Sequence, residues 1–173
     1  MELKFEELPY QLDAVNAVAN LFAGQPNHAR TFDLTSQGMG RFVGNGLDLD
    51  WETLGRNLNA VQKQNGQSET EIGEHGLNFS LEMETGTGKT YVYLRTIYEL
   101  NRRYGWKKFV IVVPSVPIRE GVLKSLEIMK AHFDGVFGRP VMRYAEYSSG
   151  RLSDLRAFAV NDHIEILVIN IQS

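Results

Sequence analysis

Six consecutive residues, Thr85-Gly86-Thr87-Gly88-Lys89-Thr90, carry the most specific chemistry in this 173-residue sequence. Two glycines let a backbone wrap closely around an anion, and a lysine ammonium reaches phosphate oxygens. The threonine hydroxyl is then placed to ligate Mg²⁺. This set of groups suits the β and γ phosphates of a nucleotide, with helix N-terminal amides completing the cradle. The general phosphate-loop pattern asks for Gly five residues before Gly88, and Met83 stands there instead. At about 6–7% per residue type, Gly-Lys-[Ser/Thr] arises by chance about once in ten chains of this length, and Thr-Gly-x-Gly-Lys-Thr on the order of once in ten thousand. The longer string is present, so a plain glycine turn with a solvated lysine is the weaker account.

A phosphate loop works only between a strand and a helix. Leu77–Met83 is expected to be a short strand leading into the glycines, and Thr90–Tyr104 a helix. In that helix Tyr91, Leu94 and Tyr98 form one apolar row and Tyr93, Ile97, Leu100 and Tyr104 another, which predicts burial in a layer covering a sheet. Lys108–Val113 (KFVIVV) reads as a strand buried on both faces. Pro117–Phe133 reads as a helix, Val141–Tyr144 as a strand, Arg151–Phe158 as a short helix and Ile164–Ile169 as a third apolar strand. Strands separated by helices of this length imply βαβ units, and hence an α/β fold with a mainly parallel sheet covered by helices.

Upstream the texture differs. Residues 8–22 predict an amphipathic helix on Leu12, Val15, Ala19 and Phe22, with Pro9 near its start and Gly24 and Pro26 after its end. Residues 24–80 hold nine of the sixteen glycines and are rich in Asn and Gln. One helix is expected there, capped by Asp50, built on Trp51, Leu54, Leu58 and Val61, and stopped at Asn65-Gly66. The rest reads as loop. A connection this long is unusual in a compact domain, so residues 24–76 are read as an insertion before the core at 77–173.

Composition sets the outer bounds. At 43% hydrophobic and 23% charged, the chain is an ordinary globular sequence. No apolar run is long enough to span a membrane, and the N-terminus lacks the layout of a signal peptide. The absence of cysteine excludes disulfides, thiolate metal sites and a cysteine nucleophile, and is consistent with a cytoplasmic location. A net charge of -3 announces no broad electropositive field, although local cations and amides can still meet DNA. The four histidines have no pair at metal-ligand spacing. Arg102-Arg103 and Lys107-Lys108 read as a solvated turn, and Glu2, Glu6 and Glu7 as a solvated acidic face.

Thr-Gly-x-Gly-Lys-Thr resembles the first motif of superfamily 2 helicases and translocases. Tyr10-Gln11, opening a helix upstream of the loop, resembles the adenine-reading glutamine motif of that superfamily. A glutamine amide can pair with N6 and N7 of adenine together and so separate ATP from GTP; the alternative is a plain polar helix residue. Val113-Pro114-Ser115-Val116-Pro117 stands where motif Ia holds a nucleic-acid backbone, with Arg119 as a nearby cation. The weaker alternative is that Ser115 and Pro117 merely start the helix.

Three further stretches narrow the resemblance. Met83–Thr90 running on through Tyr91-Val92-Tyr93-Leu94-Arg95-Thr96, then Tyr104–Phe109, then Val113–Val122 are similar to the restriction (Res) subunit of type III restriction–modification enzymes. His132-Phe133, Leu155–Phe158 and Ile164–Ser173 agree. The resemblance implies a RecA-like motor using ATP and Mg²⁺ to translocate on double-stranded DNA. It also implies a nuclease domain and a methyltransferase (Mod) partner that reads the sequence. Tyr10, Gln11, Thr85, Gly86, Thr87, Gly88, Lys89 and Thr90 would hold the nucleotide, with Thr90 on the metal. Pro114, Ser115, Arg119, Asn170, Gln172 and Ser173 would meet DNA.

One element of such a motor is missing. No Asp-Glu dipeptide occurs in the chain, and the strand Ile164–Ile169 runs into Asn170, a neutral amide. Set against that resemblance, the Walker B carboxylates, the second motor domain and the nuclease domain are not expected within these 173 residues. The whole of 1–173 is expected to be the N-terminal part of a helicase ATPase domain, incomplete at its C-terminus, that binds ATP without hydrolysing it. Rival readings are another superfamily 2 DNA or RNA helicase, a complete small P-loop kinase or switch, and a non-enzymatic nucleotide- or DNA-binding module.

Overall fold

The computed structural model describes residues 5–28, 30–33, 41–73, 76–148 and 150–171. Its elements run α1 (Pro9–Asn20), β1 (Arg30–Asp33), β2 (Arg41–Gly44), α2 (Trp51–Gln64), α3 (Lys89–Tyr104), β3 (Lys108–Val113), α4 (Val116–Phe137), β4 (Met142–Glu146), α5 (Leu152–Val160) and β5 (Ile164–Asn170). The chain forms two compact units: Met1–Phe5 with Asn27–Gly46 and Leu100–Ser173, and Glu6–Pro26 with Leu47–Glu99.

The first unit is built on a parallel sheet of order β3-β5-β4. Its central strand explains its sequence. Flanked on both sides, β5 buries Ile164, Ile166, Leu167 and Val168, and no polar face is left for solvent. α4 and α5 both pack against it, with Val122, Leu126 and Phe133 of α4 buried. Full burial was also expected of β3, and here the structure differs. β3 is an edge strand among the described residues, and Val110 and Val112 are 51% and 60% exposed. Apolarity alone does not distinguish an edge from a centre.

The same unit contains an antiparallel hairpin in the segment read as loop, with β1 paired to β2 from Arg30↔Gly44 to Asp33↔Arg41. α5 packs against β2. After β2 the chain is fastened by side chains: Asn45 Oδ1 accepts from the Lys107 and Lys108 amides at 2.8 and 3.0 Å, and its Nδ2 donates to the Lys108 carbonyl at 2.6 Å. The Trp106 indole N–H donates to the Gly46 carbonyl at 2.8 Å. The cationic turn is not simply solvated either. Lys107 pairs with Asp162 at 2.6 Å, Lys108 stands over the Phe158 ring, and Arg102 stands over Phe137.

The second unit pairs α1 with α2. Asp50 caps α2 as its position predicts, its carboxylate accepting from the Thr53 amide at 2.7 Å. Asn57 on α2 donates to the Leu21 and Ala23 carbonyls and so satisfies groups that α1 leaves open at its end. Leu77–Met83, expected as a strand, has no strand structure. Its alternating Leu77, Phe79, Leu81 and Met83 specify a face, but a strand also requires a partner, and this segment belongs to no ladder. Among the described residues, no helix is long and apolar enough to cross a membrane.

Candidate functional site

The Thr85–Thr90 segment turns at Thr85-Gly86 and enters α3 at Lys89. Gly86 and Gly88 both have left-handed backbones, with φ of +82° and +86°. No atom lies where a Cβ on Gly86 would project, whereas a Cβ on Gly88 would strike the Gln11 amide. Glycine is thus needed at Gly88 both for its φ and for the approach of a neighbour. The loop folds onto its own carbonyls: Lys89 Nζ donates to Glu84 O at 2.7 Å, and the Thr87 hydroxyl to the same oxygen at 2.6 Å. Lys89 is exposed and its partner is neutral. The Tyr93 hydroxyl is buried near the Thr90 side chain; burial pushes its pKa above the ordinary value, and the neighbouring Thr90 works the other way.

Tyr10 and Gln11 meet this loop. Pro9 opens α1 and places both side chains on the Thr87 carbonyl, with Gln11 Nε2 donating at 2.9 Å and Tyr10 OH at 3.3 Å. Gln11 is buried at 7% exposure, while Tyr10 is 47% exposed. The sequence places these residues 76 positions from the loop, and the fold brings them to one carbonyl. Glu7, expected on a solvated face, instead forms an ion pair with the buried Arg95 of α3 at 2.7 Å. No spacing rule could reveal a pair 88 residues apart.

The loop fits the groups it would hold. The open space at Gly86, the exposed ammonium of Lys89 and the Thr90 hydroxyl at the first turn of α3 match a phosphate chain with its Mg²⁺. An exposed aromatic ring at Tyr10 beside a glutamine amide matches a base edge.

The other candidate residues lie in the first unit, at the carboxyl ends of the parallel strands, where α/β sheets bind ligands. Pro114 and Ser115 follow β3, and Ser115 is the N-cap of α4 without making a side-chain capping bond. Asn170 ends β5, is 3% exposed, and stands level with Val113. Arg119 joins these ends: its guanidinium contacts Glu146 Oε1 at 2.6 Å, Glu120 Oε1 at 3.0 Å and Asn170 Oδ1 at 3.3 Å. Its side chain is only 14% exposed. Glu146, at the end of β4, is a carboxylate at this edge that sequence reasoning did not single out. Gln172 and Ser173 lie outside the described residues.

A parallel sheet flanked by helices, with a glycine-rich loop entering a helix at Lys89, defines the chain as a RecA-like α/β protein. It belongs to the family described as type III restriction enzyme, res subunit, whose profile matches residues 4–173. It is similar to the Res subunit of the type III restriction-modification enzyme EcoP15I of Escherichia coli, 33% identical over 144 residues. It is likewise similar to the EcoPI Res subunit of Escherichia phage P1, 32% identical over 143 residues. Each match takes in 80% of this chain and 14% of the relative. The StyLTI Res subunit of Salmonella typhimurium is 41% identical over 75 residues, 42% of this chain and 8% of that protein. The chain therefore spans about one seventh of the length of the first two relatives.

Proposed function

We propose that this chain is the ATP-binding part of a DNA translocase motor in a type III restriction endonuclease, working on double-stranded DNA beside a methyltransferase subunit. The observation that carries the reading is the convergence of Tyr10 and Gln11 on the carbonyl of Thr87, inside the phosphate loop. A solvated glycine turn gives no reason for a buried glutamine to seek it. In this reading the loop amides, Lys89 and Thr90 hold the phosphates and Mg²⁺, and Gln11 and Tyr10 face adenine. Mg²⁺ supplies charge neutralisation between the phosphate oxygens when bound. Ser115, Pro114 and Asn170, with the Gln172–Ser173 end, meet the DNA backbone without regard to sequence, and Arg119 joins them when it leaves Glu146.

Binding and turnover separate in this chain. Hydrolysis needs a carboxylate to complete the Mg²⁺ shell, a group to orient water and cationic fingers, the last worth about 10³–10⁵ in rate in related enzymes. The sequence has no Asp-Glu pair to supply the first two. Calorimetric titration with ATP–Mg²⁺ is expected to give binding, and steady-state ATPase with and without duplex DNA to stay at background. Absence of ATP binding would overturn the reading. DNA-stimulated turnover that vanishes on Lys89→Ala would overturn the separation and assign the metal to another acid, such as Asp154 or Asp162.

A further inference from the structure

Helix α3 carries the phosphate loop at its N-terminus and, on its second turn, a buried arginine. Arg95 Nη1 lies 2.7 Å from Glu7 Oε1 and 2.6 Å from the Tyr91 hydroxyl, to which it donates. Arg95 is 9% exposed, whereas the Glu7 side chain is 44% exposed. Burial alone would lower the arginine pKa; the bonds to Glu7 and Tyr91 more than offset it and hold the group above its ordinary value.

A buried guanidinium is a costly way to fill space, and an apolar residue of similar volume usually serves stability as well or better. What the charge provides here is a fixed place for Glu7. Three and four residues later come Tyr10 and Gln11, both bonded to Thr87 O. The stretch 7–11 is thus tied at one end to the body of α3 and at the other to the loop that begins α3. Arg95 stands on α3 and Thr87 lies two residues before its first residue, so both anchor points are tied to the same helix.

We propose that Glu7 and Arg95 are a positioning pair for the base-reading edge of the nucleotide site. The pair sets where Tyr10 and Gln11 stand against Thr87, and so sets the preference for adenine over guanine, without touching the nucleotide. The proposal rests on the reading of Thr85–Thr90 as the phosphate cradle and of Gln11 as the adenine contact. It separates two tasks that share the site: phosphate capture by the loop, and base choice by a segment held through an ion pair.

The test uses the whole chain and its Glu7→Ala/Arg95→Met variant, which removes the anchor without leaving a buried guanidinium deprived of its carboxylate. ATP, GTP and inorganic tripolyphosphate, each with Mg²⁺, are titrated by calorimetry. Expected in the variant are an ATP affinity about tenfold weaker, equal to that for GTP, and a tripolyphosphate affinity within about twofold of the parent, as for one lost charge-assisted anchor. An ATP-to-GTP ratio unchanged from the parent would overturn the proposal, as would tripolyphosphate affinity falling in step with ATP. A parent that binds neither ATP nor tripolyphosphate would instead overturn the phosphate-loop reading, and this proposal with it.

Discussion

Lys89 and Arg119 are both cations near the start of a helix, but they are held by opposite means. Lys89 is exposed and rests on the neutral carbonyl of Glu84 in its own loop, at 2.7 Å. Arg119 is largely buried and bound by the carboxylates of Glu146 and Glu120 and by the Asn170 amide. A carbonyl gives up a lysine readily when a polyanion arrives, because the loss is one charge–dipole contact. A carboxylate does not, because an unpaired charge is left behind. Cation and exposure together, rather than cation alone, mark a group ready to receive phosphate.

The largest expected effect breaks this contrast on its ready side. Lys89→Ala removes a charge-assisted contact and should weaken ATP–Mg²⁺ binding about a hundredfold. Calorimetry checks it, and an unchanged affinity would show that the exposed lysine was not waiting for phosphate. Next comes the base edge: Gln11→Ala should erase an adenine preference of about tenfold in competition between ATP and GTP. A parent that already binds both equally would leave the phosphate loop standing and remove the role of Gln11.

The committed side is sharpened by Glu146→Gln. Relieved of its main carboxylate, Arg119 should raise duplex-DNA affinity about threefold in low salt, with the gain disappearing at high salt. Fluorescence anisotropy at two ionic strengths reads it; a gain that depends on DNA sequence would contradict backbone contact. The smallest effect lies at the cap of α2. The Thr53 amide, and then its hydroxyl, hold the Asp50 pKa below the ordinary value of 3.8. A folded-state pKa below the unfolded one stabilises the protein above the unfolded value, and that contribution is lost as pH falls through the folded pKa. Asp50→Asn should therefore flatten the Tm profile slightly below about pH 4 and leave it nearly unchanged at neutrality.

What the sequence reveals follows the range of the interactions. β5 is legible because a run from Ile164 to Ile169 suits a central strand, and α2 is legible because its cap at Asp50 and its stop at Asn65-Gly66 each act within a turn of their own position. β3 is legible as a strand but not as an edge, since position in a sheet is decided by pairing with distant residues. The β1–β2 pair is hidden because RTFD and RFVG are only four residues each and both open on an arginine. Among the candidate site residues the loop is written locally, in six consecutive positions. Glu7 and Glu146 look like surface acids until the fold brings Arg95 and Arg119 to them.

The fastening of Asn45 also gives the molecule a way to age. Asn45-Gly46 and Asn65-Gly66 are the same dipeptide, and glycine offers little hindrance to the backbone attack by which asparagine loses ammonia. At Asn65 the amide donates to the Val61 carbonyl within one exposed helix end, so conversion to aspartate disturbs a single local bond. At Asn45 the same conversion keeps acceptors for the Lys107 and Lys108 amides but destroys the donor to the Lys108 carbonyl, and it sets a carboxylate against that oxygen. One dipeptide is a silent clock, and the other unpicks the start of β3. Stored protein should accumulate the change at both sites by peptide mass mapping, with lost thermal stability tracking the change at Asn45.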